Sequence, residues 1–235
     1  MTQALFRDDA YRAEAEAIVL SCDPRGVALD CTVFYAQGGG QSGDRGTLML
    51  DDGLAVPIVN TVFDSDRATI LHVPAEGASL PRPGERVIAR IDWDLRYQRM
   101  RAHTALHLLS VVLQYPVTGG SVGDAEGRLD FDSGEAVLDK ADVERRLNEL
   151  IALNAAVSQR WIGDEELMAN PGLIKTMSVK PPMGTGRVRL VAIEGLDLQP
   201  CGGTHVARTG EIGRALVTGI EKKGKINRRV RIALA

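Results

Sequence analysis

The chain has 235 residues, a formal net charge of −3, a 44% apolar share and a 25% charged share. These are the proportions of an ordinary globular protein and exclude disordered, fibrous and disulfide-scaffold classes. The mild acidity excludes general coating of DNA, and three cysteines, an odd number, do not make a disulfide framework.

The first ninety-one residues read as short strands. Residues 16–20, 26–34 and 86–91 carry β-branched or alternating patterns, with turn chemistry at Asp51-Asp52-Gly53 and Pro83-Gly84. Strands at this spacing suggest a small barrel or sandwich. Cys22 and Cys31 alternate with apolar neighbours and read as small core residues. Between these strands lies a glycine-rich stretch from Tyr35 to Gly46. No Gly-Lys-Ser/Thr comes after it, so it is not a phosphate loop. Gly38, Gly39 and Gly40 are either a constrained strand connection or a contact surface for a substrate or the other domain.

The character changes at Asp92-Trp93-Asp94. With Asp94 as N-cap, apolar residues recur at helical spacing over 95–115, and Pro116 ends the run. A loop or strand start comes next at 117–123, then an alternating strand at 127–132. A second helix is expected over 141–159, with Val143, Leu147, Leu150 and Ile151 on one face. Residues 164–186 are less readable. A strand over 186–193 runs toward Cys201, and two more strands lie beyond it, over 212–220 and 228–234. The fold class is therefore α+β: a barrel-like domain over 1–91, then a two-layer domain of helices and strands over 92–235.

Three of the four histidines and one of the three cysteines fall in two short stretches. His103 and His107 lie mid-helix at i and i+4, on one face and about 6 Å apart along the axis. Cys201 and His205 repeat that spacing around Gly202 and Gly203, which favour a turn. Three imidazoles and a thiolate suit a tetrahedral Zn²⁺. A zinc protease helix needs Glu after the first His; here Thr104 occupies that place. Four protein ligands normally close a structural site. On the other side, main-chain N–H groups at Gly202 and Gly203 could face an oxyanion, and Thr104 and Thr204 place hydroxyls beside the ligands. Residues alone leave structural and catalytic metal both open.

Charge is unevenly spread. Arg214, Lys222, Lys223, Lys225, Arg228, Arg229 and Arg231 face only Glu221 over 214–231. This suits docking of one defined polyanion. A second series, Arg82, Arg86, Arg90, Arg96, Arg99 and Arg101, is diluted by acids and reads equally well as a solvated face.

His103-Thr-Ala-Leu-His107 together with Cys201-Gly-Gly-Thr-His205 resembles the editing domain of alanyl-tRNA synthetases and of the free-standing AlaX proteins. Phe34 to Gly46 resembles that family's Phe-Tyr-Pro-Glu-Gly-Gly-Gly-Gln stretch, with Ala36 and Gln37 in place of its Pro and Glu. Gly119-Gly120-Ser121 with Leu129-Asp130-Phe131-Asp132 after it is similar to the family's segment between helix and strand. The resemblance implies one zinc per chain on His103, His107, Cys201 and His205. It implies a hydrolase that cleaves serine, or glycine, from alanine tRNA. The opening residues carry no charged-then-apolar signal pattern, and the longest apolar run, around Leu106 to Leu113, is too short to span a bilayer, so the protein is read as cytoplasmic, with neither membrane nor DNA as partner. Thr118 or Ser121 would read the serine hydroxyl, Gly38 to Gly40 would face the substrate, and Arg228 and Arg229 would meet acceptor-stem phosphates. Two alternatives stay open: the related editing domain of threonyl-tRNA synthetase, and a structural-zinc module that binds RNA without catalysis.

Overall fold

A computed structural model describes residues 1–174, 186–224 and 226–235. The chain divides into two compact units, Met1–Tyr97 and Gln98–Ala235, and the division falls within the first long helix.

The first unit holds β1 (Gln3–Ala4), β2 (Glu14–Asp23), β3 (Gly26–Leu29), β4 (Cys31–Thr32), β5 (Gly46–Leu50), β6 (Ala55–Phe63), β7 (Ile70–Pro74) and β8 (Arg86–Ile91). Six of them close a barrel in the order β2-β3-β7-β6-β5-β8, while β1 pairs in parallel with β4. Every second side chain points inward, as the two-residue period of a strand requires. Ala15, Ala17 and Val19 of β2, Leu48 and Leu50 of β5, and Val87, Ala89 and Ile91 of β8 fill the interior with Phe34. Cys22 and Cys31 are half-buried against this core. The strand expected over 26–34 is interrupted after Leu29, where the Asp30 carboxylate accepts from the N–H groups of Ile18 and Cys31.

The glycine-rich stretch forms a tight reversal. Gly38 and Gln41 exchange both main-chain bonds, at 3.1 and 2.9 Å, across Gly39 (φ +56°) and Gly40 (φ +85°). Two central residues with positive φ are the demand of a two-residue hairpin turn. The base of the turn is fixed by side chains. The Tyr35 hydroxyl donates to Gly38 O at 2.8 Å, and the Asp44 carboxylate accepts from Tyr35 N at 2.7 Å. Buried Arg96 pairs with Asp44 and also donates to Ala10 O and Val33 O. Gly43 and Gly46 answer a different need. A Cβ at either would lie 2.0 Å from Thr61 O or 2.1 Å from Arg90 O, so neighbouring backbone excludes any side chain. Ala36 is fully buried and Gln37 is exposed.

The first helix, α1, spans Trp93–Val112. Its cap is Asp92, whose carboxylate accepts from Leu95 N at 3.2 Å; Asp94 lies in the first turn. The correction is of two residues, and either acid would favour a helix N-terminus. In the second arginine series Arg82, Arg86 and Arg90 are exposed, but Arg96 and Arg99 are fully buried. Arg99 pairs with Asp124 at 2.8 Å, so these two are structural and the solvated-face reading does not hold for them.

In the second unit β9 (Val117–Val122), β10 (Glu126–Asp132), β14 (Ala215–Lys223) and β15 (Asn227–Leu234) form a sheet in the order β14-β15-β10-β9. Gly127 of β10 packs so closely on Leu106 of α1 that a Cβ would come within 2.8 Å, which places α1 on this face. Helix α2 (Lys140–Ala152) lies along β14; Asn148 and Glu144 hold Ala215 and Val217 of that strand. Val143, Leu147 and Ile151 are buried as expected, and Leu150 partly. The helix ends well short of 159. Leu153 closes it, and Asn154 turns left-handed (φ +49°), a common helix stop.

Beyond α2 the chain builds a second sheet, of which the sequence pattern announces only the strand expected over 186–193. It consists of β11 (Val157–Gly163), β12 (Arg187–Ile193) and β13 (Asp197–Pro200), all antiparallel, in the order β11-β12-β13. Short α3 (Asp164–Ala169) covers one face of it through Leu167, against Ile162, Val188 and Leu190.

Candidate metal centre

The opposite face of that second sheet faces the cluster of histidines and cysteine. Asp197, Gln199 and Cys201 alternate along β13 and its continuation, so all three point to one side. Against them stand His103 and His107 of α1, and the chain after Cys201 turns back through Gly202-Gly203-Thr204 to His205. The donor atoms of His103, His107, Cys201 and His205 all lie within 4.8 Å of one another. Cys201 Sγ is 3.6 Å from His103 Nε2 and 3.2 Å from His205 Nε2. The three rings stand at centroid separations of 4.3, 4.5 and 5.2 Å. These four residues can hold a metal ion.

The Nδ1 atoms of His205 and His107 each have a defined task. The Thr104 hydroxyl donates to Met100 O at 2.9 Å, so its oxygen must accept the contact at 3.1 Å from His205 Nδ1. That proton on Nδ1 leaves Nε2 as the lone-pair donor facing Cys201. At His107 the Nδ1–H donates to Asp197 Oδ2 at 3.1 Å, and Gln199 donates to the same oxygen at 2.6 Å. Partners of this kind orient ligands and raise their basicity.

Burial works against ionising Cys201, yet the imidazoles of His103 and His205 outweigh it and hold the thiol well below its usual range. Burial, with His103 next, lowers His205 to about 3. Burial also opposes charge at His107, but Asp197 and then Cys201 push its pKa up to about 9. At neutral pH the cluster therefore sets a thiolate beside a protonated His107, and an ion that displaced that proton would meet one sulfur and three nitrogen donors, a set for a borderline-soft transition ion.

The other expected site residues divide between the turn, the first sheet and the barrel unit. Gly203 N–H donates to Cys201 Sγ at 3.4 Å, a bond that stabilises the sulfur. Gly202 is exposed, and a Cβ there would meet nothing within 4 Å. Thr104 and Thr204 are fully buried. Thr118 donates to Asp130 O at 3.2 Å. Ser121 pairs with Arg128, the neighbour of Gly127, and so sits on the sheet face turned away from α1. On that same outer face Arg229 binds Asp130 with two nitrogens, at 2.7 and 2.8 Å. Arg228 is half-buried, Lys222 and Lys223 are exposed, and Lys225 lies outside the described residues. Gly39 and Gly40 are exposed at the tip of their turn in the first unit.

Sequence reasoning missed Asp197, Gln199 and Arg189. Buried Arg189 of β12 donates to Cys201 O at 3.0 Å and Gly203 O at 2.8 Å and so holds the turn between the ligands. The available signal was the alternation Asp197, Gln199, Cys201, which on a strand puts two polar side chains beside the thiolate.

The fold and this site define a class. Residues 188–231 match the second additional domain of threonyl and alanyl tRNA synthetases, and residues 2–95 match the class II (A) tRNA synthetases. Over 100% of its length the chain is 35% identical to the alanyl-tRNA editing protein AlaX-M of Methanosarcina acetivorans, covering 99% of that protein. It is 33% identical over 98% of its length to the AlaX-M of Saccharolobus solfataricus, covering 98% of it. An alanine–tRNA ligase of Halobacterium salinarum is 34% identical over 94% of the chain, which spans only 25% of that ligase. The chain belongs to the AlaX-M family of alanyl-tRNA editing proteins.

Proposed function

We propose that this protein hydrolyses the ester joining a wrong amino acid, serine first, to the terminal adenosine of tRNA(Ala), at a site built around Zn²⁺. The observation that carries the reading is the convergence of His103, His107, Cys201 and His205. Nitrogen and sulfur donors on a tetrahedral zinc are separated by about 3.5 Å, given its usual bond lengths. The Cys201 contacts at 3.6 and 3.2 Å lie on either side of that value. When bound, zinc would supply a localised positive charge that polarises an ester or an attacking water.

The chain's own residues do the rest. Asp197 and Thr104 fix the rings of His107 and His205, so the donor set is organised before any ligand arrives. Arg189 sets the path of the turn carrying Gly202, whose exposed backbone is free of side-chain bulk where a substrate would approach. An activated ester needs chiefly positioning and charge stabilisation. Thr118 supports serine recognition better than Ser121: its proton is committed to Asp130 O, so its oxygen can accept from a substrate hydroxyl. Phosphate contact falls to exposed Lys222 and Lys223 with Arg228, because Arg229 is engaged by Asp130.

The test is side-by-side deacylation of Ser-, Gly- and Ala-tRNA(Ala). The expected result is rapid loss of serine and retention of alanine. Cys201→Ala should lose both its zinc, about one ion per chain in the parent, and its activity. Full activity in metal-free Cys201→Ala protein would end the zinc-centred reading. One observation favours a second reading, a structural zinc in an RNA-binding module: four protein donors ordinarily close a tetrahedral site. In that case chelation should unfold the second unit, whereas a catalytic ion should leave most structure in place. The relatives' names favour alanine over threonine as the cognate amino acid.

A further inference from the structure

The face of the second sheet that bears Cys201 extends across two more strands to its edge. Cys201 N–H bonds to Arg189 O at 3.1 Å, and Arg189 is the register partner of Trp161 on β11. Cys201, Arg189 and Trp161 therefore form one row across the sheet. With strands spaced about 4.8 Å apart, the Trp161 backbone lies about 10 Å from that of Cys201. The side chains confirm the common face: Arg189 donates to Cys201 O and Gly203 O, and its Nε donates to Gln159 Oε1 at 2.6 Å, two residues from Trp161.

Trp161 has no part in the apolar layer beneath α3, which belongs to Ile162, Leu190 and Val188 on the other side. Its indole is 36% exposed, and the Arg187 guanidinium stands over the ring at 4.7 Å. Arg187 covers one face of the indole, so an unpaired nucleobase would stack on the outer plane of the guanidinium or on the ring's other face, with the cation beside the backbone phosphates.

We propose that Trp161 and Arg187 form a stacking platform for an unpaired base next to the acylated 3′ end of the substrate RNA. The proposal rests on the reading of the substrate as an aminoacyl-tRNA. It adds the subsite that lays the single-stranded end across the sheet, with Arg189 joining platform and metal turn. Stacking is indifferent to base identity, so this subsite orients the end and does not choose the tRNA.

The chain has two tryptophans, Trp93 and Trp161, so Trp93→Phe leaves Trp161 as the only indole emitter. Its emission is followed while an unacylated acceptor-stem hairpin is added, once with its complete single-stranded 3′ end and once cut back to a blunt duplex. Quenching by the complete hairpin, with binding of the blunt one roughly tenfold weaker or more, is expected from the usual worth of one base–aromatic stack. In deacylation assays Trp161→Ala should raise KM by a similar roughly tenfold factor with kcat kept within about twofold, and Trp161→Phe should restore KM. Equal quenching by both RNAs, or an unchanged KM in Trp161→Ala, overturns the platform and leaves the proposed reaction standing. Quenching specific to the complete end in a protein that deacylates none of the three aminoacyl-tRNAs does the reverse: it keeps the platform and overturns the reaction.

Discussion

Asp197→Ala isolates the contribution of a buried carboxylate that holds the ring of His107. The Asp197 side chain is fully buried and receives the His107 Nδ1–H at 3.1 Å and the Gln199 amide at 2.6 Å. Removing it leaves the His107 ring free to rotate or change tautomer and leaves Gln199 without its acceptor. Loss of such a partner typically costs 10- to 100-fold in metal affinity, which is about 1.4 to 2.8 kcal/mol. Competition between the protein and a chromophoric zinc chelator gives the affinity directly, without reference to catalysis. Asp197→Asn keeps an acceptor oxygen but no charge and should fall between wild type and Asp197→Ala. Thr104→Val, which removes the acceptor of His205 Nδ1, should weaken zinc binding through the second ring. If folded Asp197→Ala protein binds zinc as tightly as its parent, the claim that this carboxylate organises the donor set is wrong.

Other predictions concern the fold and the turn. Gly43→Ala should cost about 3 kcal/mol or more because its Cβ would meet Thr61 O at 2.0 Å. Gly39→Ala, with open space and a left-handed backbone, should cost only about 1 to 2 kcal/mol. Equal midpoints in urea would refute that distinction. Buried His72 bonds Thr32 at 2.7 Å and Val27 O at 2.9 Å, and burial lowers its pKa to about 4 from 6.5. Because the folded value lies below the unfolded one, its contribution is fully present above pH 6.5 and is lost as pH falls toward 4, up to about 3 kcal/mol. His72→Gln should flatten the stability profile by about one proton across that window, and unchanged slopes would remove His72 as the cause. Gly202→Ala meets no atom within 4 Å, so stability should move by less than about 0.5 kcal/mol. Deacylation should fall about tenfold if substrate passes over that backbone; unaltered kcat/KM would place the substrate elsewhere.

The parts of the fold that were readable from sequence are those where a single period governs burial. Residues 86–91 alternate strictly and form β8 with the expected limits, and the i, i+4 histidines lie on one face of α1 as their spacing requires. Of the second sheet only the central strand, β12, is legible, and its two neighbours are hidden for physical reasons. β11 has one buried residue, Ile162, in seven, so it shows no alternation and reads as an extension of α2 past Asn154. β13 has four residues, too few for any period to appear. Asp197 and Gln199 could be recognised as partners of the ligands only once that strand was in place. The two buried arginines, Arg96 and Arg99, were hidden differently. Their carboxylate partners, Asp44 and Asp124, are 52 and 25 residues away, and no local pattern pairs them.

The four donor residues come from segments nearly a hundred positions apart, His103 with His107 and Cys201 with His205. An ion held by both segments is a crosslink in the same sense as a disulfide. It closes a loop of roughly a hundred residues, a constraint worth some 4 to 5 kcal/mol in the chain-entropy model. It is also a crosslink that cannot form early. During synthesis the helix with two histidines is finished long before the cysteine leaves the ribosome, so α1 spends that interval with half a coordination sphere. The centre closes only when β13 pairs with β12, and the last hairpin, β14 and β15, then completes the sheet beneath α1. Metal capture in this protein would therefore mark the arrival of Cys201 and His205 near the end of the chain, and a truncation before Cys201 would leave the histidines without a site.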